Sequence, residues 1–309
     1  MRNLNSQIAI TRQRTRNSDY SEVVGDENGI PQQVFVEVFN AGQGHLQTSI
    51  RNVYSQLFIT TSEITIVANQ EAYSVPDRVF MDGSIIRVEY SSSGFSTDYY
   101  PLKRGGVLDR RGTRGNPTLY IVQNGQVLLN CIPSTSTGKI RVTYIRSLDD
   151  MDVSRGTVSG TPSGATITVT SGDATSTPEN LTNTNYVCIS NKYGVVMLRS
   201  GAVTSFVGTT LTLNANVSTF LVTGFALADL AGGTITLGKH STTVSKLPDG
   251  CERYLMTYAQ KRVLTIGEST TSVEEDMELK TMESEILKSF CDEVREPAEI
   301  PVLDYESYY

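Results

Sequence analysis

The sequence is poor in the residues on which most catalytic and metal sites depend. Its 309 residues include two histidines, four cysteines and no tryptophan. His45 and His240 fall in different predicted domains, so a Ser-His-Asp triad or a histidine-based zinc site would lack partners. We therefore predict no catalytic residues, no metal site and no cofactor, and expect that the protein is not an enzyme.

The cysteines are widely spaced and form no CxxC pair; they are Cys131, Cys188, Cys251 and Cys291. Disulfide frameworks belong to short, cysteine-dense secreted chains, so this spacing indicates four free thiols that are buried or half-buried. The most apolar stretch, Phe220 to Leu230, is shorter than a bilayer requires and contains Asp229. The segment from Met1 to Gln7 has no apolar core of a signal peptide. We expect a soluble protein that acts in the cell that makes it, or on a particle assembled there.

The net charge of −7 is unevenly distributed. From Glu268 to Tyr309 there are thirteen acidic and three basic side chains, a local net charge of −10, which leaves about +3 for the rest. Such an asymmetry indicates a solvated acidic helix or an acidic interaction tail. A general nucleic-acid binder would be expected to be basic.

The first half of the chain alternates between helical and strand patterns. Residues 1–30 are polar and predict an extended arm or loop. Apolar spacing then predicts two helices, over 31–40 and 44–57, separated by Gly42 and Gly44. A strand-rich block follows as far as Tyr144, and Asn124-Gly125 within it is a strong hairpin signal.

Residues 153–247 are low in charge and rich in Ser, Thr, Gly and Val. Short strands separated by turn residues predict a small all-β domain, an Ig-like sandwich or a barrel. The predicted strands are Ala165–Thr170, Tyr186–Ser190, Val195–Leu198, Thr210–Leu213, Phe220–Thr223 and Thr234–Leu237.

Helical patterns return near Pro248. We predict one helix over 248–265 and a second that begins with a capping box at Ser272 and ends before Pro297. The fold class is therefore α+β: a parent domain formed by 1–152 and 248–309, interrupted by a β-domain over 153–247. The last ten residues predict an extended, aromatic segment.

Three charged clusters are candidates for a functional role. Asp149-Asp150-Met151-Asp152 lacks the glycine and the distal glutamate of a calcium loop, so a charged turn is favoured. Glu274, Glu275 and Glu278 could imitate a glycosidase pair, but a solvated helix face is favoured. The third cluster is a glycine-rich cationic loop with three open interpretations: a solvated loop, a contact with acidic groups of a neighbouring subunit, or a contact with DNA phosphates. Its residues are Lys103, Arg104, Arg110, Arg111 and Arg114.

A series of short motifs follows in a recognisable order. They are Phe39-Asn40-Ala41, Gln70-Glu71-Ala72-Tyr73-Ser74-Val75-Pro76-Asp77, Ile86-Arg87-Val88-Glu89-Tyr90, Tyr100-Pro101-Leu102, Gly115-Asn116-Pro117-Thr118-Leu119-Tyr120, Ile132-Pro133, Arg141-Val142-Thr143-Tyr144 and Leu247-Pro248-Asp249. In this order they resemble the head-to-tail adaptor (connector) protein family of short-tailed bacteriophages. The resemblance covers about 1–150 and 247–309.

The resemblance implies a structural virion protein of the phage neck. Copies would form a ring, commonly of twelve, below the portal protein; the ring would extend the channel through which DNA passes and offer attachment to the tail nozzle and fibres. It also implies that the C-terminal segment contacts the portal, and the apolar and aromatic residues there suit groove docking or strand addition. These are Ile300, Val302, Leu303, Tyr305, Tyr308 and Tyr309. The alternative, which rests on the β-domain, is a carbohydrate- or receptor-binding tail protein.

Overall fold

The computed structural model describes residues 1–16, 32–80, 84–95, 97–109, 112–134, 136–170, 185–266 and 273–295. Helices and strands are mixed within these residues, which confirms the α+β fold class. The chain divides into two compact units, one formed by Met1–Ser49 with Leu148–Tyr309 and the other by Ile50–Ser147. That residues 153–247 are an insertion into a parent domain stays a prediction.

Four α-helices lie within the described residues: α1 (Leu4–Arg16), α2 (Gln32–Val53), α3 (Glu252–Ile266) and α4 (Val273–Arg295). The described strands are β1 (Ile59–Thr65), β2 (Ala72–Ser74), β3 (Ile85–Ser91), β4 (Tyr100–Pro101), β5 (Lys103–Arg104), β6 (Leu119–Gln123), β7 (Gln126–Leu129), β8 (Lys139–Ile145), β9 (Asp150–Met151), β10 (Gly156–Val158), β11 (Thr166–Thr170), β12 (Tyr186–Ser190), β13 (Val196–Val207), β14 (Thr210–Leu213), β15 (Thr234–Leu237) and β16 (Ser241–Thr242). Among these helices, none combines the length and the apolar character that a membrane crossing needs.

The prediction of an extended arm was wrong for residues 4–16, which form α1. This helix packs against α3 through a face that is partly polar: Leu4, Gln7 and Thr11 are each fully buried. The Thr11 hydroxyl donates to the carbonyl of Gln7 at 2.9 Å, and Thr15 repeats this one turn later, donating to the carbonyl of Thr11 at 3.1 Å. Because these hydroxyls are satisfied within the helix, a polar sequence can pack against a core.

The prediction of two helices over 31–57 was also wrong, because α2 continues through Gly42 and Gly44. A Cβ at Gly42 would lie 2.8 Å from Cδ1 of Tyr258 in α3, whereas a Cβ at Gly44 would meet nothing within 4 Å. Gly42 thus permits the close approach of an aromatic ring. The glycine that suggested a break in the helix serves helix packing instead.

Six strands close into a barrel in the order β10-β11-β14-β13-β12-β15, all antiparallel. Of the two predicted architectures, the β-domain therefore has the barrel. Its interior is filled by alternating apolar side chains, among them Ile167, Val187 and Ile235, each with no exposed surface. The predicted strand Phe220–Thr223 was wrong: a 3-10 turn spans Val217–Phe220.

Next to the barrel, β9 and β16 form a short parallel pair. Polar side chains of α2 form hydrogen bonds with the backbone of this pair and of the residue before it. The Asn40 amide donates to the carbonyl of Met151 at 2.8 Å, and its oxygen accepts the Met151 N–H at 2.7 Å. Gln43 donates to the carbonyl of Asp149 at 2.9 Å. Buried backbone groups on the strand segment are therefore satisfied by the helix.

The unit Ile50–Ser147 contains two four-stranded sheets, ordered β1-β8-β3-β4 and β2-β7-β6-β5. Their apolar faces share one core that includes Val88, Val127 and Ile140. The predicted hairpin joins β6 to β7, and Asn124 and Gly125 have φ values of 51° and 70°, as a two-residue type I′ turn requires.

Candidate functional site

The cationic loop predicted from the sequence leaves the sheet at β5 and returns before β6; residues 103–114 are called the 103–114 loop below. Its start is fixed because β5 pairs in parallel with β6 and the Gly105 N–H donates to the carbonyl of Tyr120 at 2.8 Å. Its return is fixed because the Ile132 N–H donates to the carbonyl of Thr113 at 2.9 Å and the Gly115 N–H donates to Ile132 at 3.1 Å. Both ends are therefore anchored to ordered backbone.

The tip of the loop is a 3-10 turn over Val107–Asp109 that is closed by its own side chain. A carboxylate oxygen of Asp109 accepts the Gly106 N–H at 2.7 Å, and the Asp109 N–H donates to the carbonyl of Gly106 at 3.0 Å. This turn presents Leu108 with 99% and Val107 with 58% of its surface exposed. Residues 106–109 thus form a turn with an exposed apolar tip, and the carboxylate nearest the tip is engaged with backbone.

Three of the predicted cations, Lys103, Arg104 and Arg114, are exposed at the base of this loop. Arg110 and Arg111 lie outside the described residues. The charges of this loop were predicted from the sequence, and the apolar tip between them was not. The sequence feature that could have indicated the tip is the pair Val107-Leu108. It stands alone between glycines and charged residues, so it is part of no strand or helix pattern.

His45 lies within a helix-packing cluster. Its Nδ1 is 3.0 Å from the Tyr254 hydroxyl, and its ring stacks with Tyr254 and Tyr258 of α3. Glu283 of α4 accepts a hydrogen bond from the Ser49 hydroxyl at 2.6 Å and lies 4.0 Å from His45. Burial, and then the nearby Glu283 carboxylate, raise the pKa of Tyr254 well above its usual range. The cluster joins α2, α3 and α4, and its groups are occupied with one another.

His240 lies beside an ion pair that joins β13 of the barrel to Asp149. The Arg199 guanidinium donates to both carboxylate oxygens of Asp149 at 3.0 Å, and its Nη1 is 3.2 Å from the Nδ1 of His240. Asp152 accepts from Arg155 at 2.9 Å and from the Leu237 N–H at 2.7 Å. Two carboxylates of the Asp149–Asp152 cluster are therefore bound to guanidinium groups, the arrangement of a charged turn.

Within the described parts of the chain, no group of three or more His, Cys, Asp or Glu side chains could hold a metal ion. Burial raises the pKa of the Cys251 thiol to about 11, so at neutral pH this side chain is an apolar core group and not a nucleophile. The four cysteines are free, as predicted. Cys188 and Cys251 are buried and Cys131 is half-buried, but Cys291 is exposed, so the prediction of a buried or half-buried thiol was wrong there.

Helix α4 carries the other predicted feature, the acidic face. Its described inner face is apolar, with Met282 and Phe290 each 7% exposed, while Met277 is 64% exposed. Next to Met277, Glu278 pairs with Arg253 of α3 at 2.9 Å and Asp276 pairs with Lys261. The predicted portal-binding residues lie outside the described residues; they are Ile300, Val302, Leu303, Tyr305, Tyr308 and Tyr309.

Ordered turns with exposed apolar tips, on a mixed helix-and-strand scaffold, are features of a protein that contacts other macromolecules. The family model of the SU10 adaptor protein matches residues 12–181, more than half of the chain. The chain therefore belongs to the SU10 adaptor protein family and is an adaptor-type structural protein of bacteriophages, which confirms the resemblance found in its motifs. The match runs from α1 past β11 and includes the 103–114 loop. No curated protein matches the chain.

Proposed function

We propose that copies of this chain form a ring in the neck of the virion, below the portal protein, commonly with twelve copies. The ring extends the channel for DNA and holds the tail nozzle and fibres, so the role is structural and not catalytic. The observation that carries the proposal is the adaptor family match, which includes the whole unit Ile50–Ser147 and its 103–114 loop.

Within this ring we assign the 103–114 loop to a contact between subunits and not to the DNA channel. A loop that touches phosphates needs exposed cations, but it gains nothing from a leucine held in water at its tip. Burying that side chain in an interface contributes about 2 kcal/mol, and surrounding charges then set the orientation of the partner. DNA passes through the ring only transiently, without a specific site.

The C-terminal segment is proposed to bind the portal through Ile300, Val302 and Leu303 and the tyrosines Tyr305, Tyr308 and Tyr309. Aliphatic anchors on a proline-containing segment suit a groove or a free sheet edge, and tyrosines are common hot-spot residues in interfaces. This part of the proposal rests on the sequence.

We assign the attachment of tail fibres to the barrel. The second candidate function, which also rests on the barrel, is that of a receptor- or carbohydrate-binding tail protein. The observation that favours the second candidate is an aromatic hairpin tip between β12 and β13, where Tyr193 is 70% exposed and the Lys192 ammonium lies 5.0 Å from the ring centre. Exposed rings of this kind can stack on sugars as well as on protein.

The ring proposal predicts a defined oligomer. Native mass measurement of the purified chain, alone and with its portal protein, should give a closed assembly of one fixed copy number. Deleting residues 300–309 should weaken portal binding at least tenfold and leave the circular dichroism spectrum unchanged. A chain that stays monomeric in both samples would rule out the ring, and a label found at fibre tips by electron microscopy of virions would favour the second candidate.

A further inference from the structure

We infer that strand β1 is a docking edge, to which a virion protein other than this chain adds an extended strand. Strand β1 is the first strand of the sheet ordered β1-β8-β3-β4, so one of its two sides has no neighbouring strand. The bound segment extends this sheet by one strand. The inference goes beyond the proposed ring, on which it rests only where it excludes a second copy as the occupant.

The backbone of β1 offers a regular row of donors and acceptors on its free side. At the two ends of the ladder with β8, the Arg146 N–H donates to the carbonyl of Phe58 at 2.9 Å and the Ile66 N–H donates to the carbonyl of Gly138 at 3.0 Å. Hydrogen-bonded pairs alternate with non-bonded ones along an antiparallel ladder, so every second residue in between points its N–H and C=O groups away from β8. Within the described chain, no group hydrogen-bonds to these backbone groups of Thr61, Glu63 and Thr65. Another extended backbone is the partner that matches such a row.

The other edges of the two four-stranded sheets are protected. The free-side position of β4 is occupied by Pro101, which has no N–H to offer. Strand β5 consists only of Lys103 and Arg104, two basic residues. On the free side of β2, the carbonyl of Ala72 accepts a hydrogen bond from the Gln70 amide at 2.6 Å. Proline, short charged strands and capping side chains are ordinary means by which proteins prevent unwanted strand pairing.

Strand β1 has none of these protections. It is seven residues long, contains no proline and no basic residue, and pairs with β8 without a bulge. Five of its seven residues are β-branched, which favours an extended backbone. Its one charged side chain, Glu63, is bound by Lys139 at 3.0 Å and by Arg141 at 3.1 Å, so this charge is compensated. A chain that protects three of its sheet edges and leaves the longest one open is suited to use that edge for contact.

The side chains along β1 define the segment that fits beside it. On the outward face, Ile59 is 39% exposed and lies opposite the half-buried Ile145, so an aliphatic side chain is favoured at this end. Towards the other end, a basic or neutral side chain is favoured beside Glu63, because like charges on neighbouring strands destabilise a sheet. On the inner face, Ile64 packs against the core of the two sheets, and an apolar side chain beside it extends that core. The occupant is thus a proline-free extended segment with apolar residues on both faces and no acidic residue beside Glu63.

A second copy of this chain is disfavoured as the source of the added strand. Among its described strands, those of the barrel form a closed sheet, and the edges at β2, β4 and β5 are protected. The long edge that remains among them is its own β1, and pairing of β1 with β1 relates two copies by a twofold axis. Such a contact joins copies in pairs and does not run from neighbour to neighbour around a cyclic ring. We therefore assign the free side of β1 to a different virion protein.

Photo-cross-linking in assembled virions tests the contact directly. The full-length chain carries the photo-reactive residue benzoylphenylalanine in place of Thr61, and the products of irradiation are identified by mass spectrometry. We expect cross-links to one other virion protein, within one proline-free segment. The matched control carries the same residue in place of Thr143, which lies opposite Thr61 on β8 and one strand farther from the edge, and should give about tenfold less product. Cross-links to residues 59–65 of a second copy or to any other segment of this chain overturn the assignment, as does a yield no higher than that of the control.

A backbone variant supplies a second measurement. Thr61→Pro removes an N–H that points to the free side, so the pairing of β1 with β8 and the mass of the ring should be unchanged. Retention of the cross-linked protein in purified virions should fall about tenfold or more, whereas Thr61→Val, which keeps the N–H, should change it by about twofold or less. Full retention with Thr61→Pro overturns the docking edge and leaves the ring proposal standing. A wild-type chain that forms no ring, alone or with portal protein, overturns the ring proposal, and the cross-links then decide the occupant of β1 by themselves.

Discussion

At the scale of single residues, Asp149 shows how a buried charge can join distant parts of the chain. Its side chain is 1% exposed and receives both hydrogen bonds of the Arg199 guanidinium, which comes from β13 of the barrel. The carbonyl of the same residue accepts a hydrogen bond from Gln43 of α2. A carboxylate in this position depends on its guanidinium partner, because removal of one member of a buried pair leaves an uncompensated charge.

Arg199→Met should therefore lower the free energy of unfolding by about 2–4 kcal/mol, at the low end if water reaches the pair through the 27% exposed side of Arg199. The double variant with Asp149→Asn should recover part of that loss, because an amide is cheaper to bury than an unpaired carboxylate. Urea unfolding of the single and double variants measures the coupling. Losses that simply add would contradict a dependence of Asp149 on Arg199.

The 103–114 loop marks the limit of what single residues reveal in a sequence. Its cations were predicted because charge is visible without structure. The apolar tip was not predicted, because Leu108 is exposed to solvent only through the turn that Asp109 closes. Two residues with no periodicity cannot show whether they point into a core or away from it.

At the scale of elements, α2 offers a matched pair of glycines two residues apart. Gly44→Ala should stabilise the protein by about 0.5–1 kcal/mol, because alanine favours the helix and a Cβ there meets nothing within 4 Å. Gly42→Ala should instead destabilise it, since its Cβ would lie 2.8 Å from the Tyr258 ring and α3 would have to shift. Thermal unfolding of both variants decides the matter, and an equal shift of both melting temperatures in the same direction would contradict the close contact.

The elements that the sequence predicted well are those defined by local pattern. Tyr186–Ser190, Thr210–Leu213 and Thr234–Leu237 were predicted with the bounds that the structure shows, and the hairpin at Asn124-Gly125 was predicted at its position. Alternation and turn chemistry act over a few residues, so they can be seen in a sequence.

The elements that were predicted wrongly depend on distant partners. Gly42 lies within α2 where the Tyr258 ring, more than 200 residues later, occupies the space that a side chain would need. The polar α1 is a helix because α3 covers it and its threonines satisfy themselves within it. Tertiary contacts override local helix propensity in both cases, and no local sequence pattern predicts such contacts.

At the scale of the whole molecule, the barrel has a core of its own and is also tied to its surroundings. Its buried apolar cluster runs from Val158 to Ile235. Yet Gly194 accepts hydrogen bonds from Thr242 and Lys246, the Cys188 thiol accepts one from the Ser241 N–H, and Arg199 holds Asp149. An independent core favours an inserted domain. The hydrogen bonds and the ion pair instead favour a barrel that stabilises the helical part of its unit.

Excision of the barrel separates these two descriptions. Gly156 and Ile235 lie opposite each other on β10 and β15, so a short glycine linker can replace residues 157–234, with Ile235→Ser to avoid an exposed isoleucine. We expect the helical circular dichroism signal and the oligomer to survive, because α1–α4 and the 103–114 loop remain. Stability should fall, because Asp149 loses Arg199, and Asp149→Asn in the excised chain should recover about 1–2 kcal/mol if the carboxylate stays buried. Loss of the helical signal in both excised chains would mean that the barrel is an integral part of its unit and that the predicted insertion is wrong.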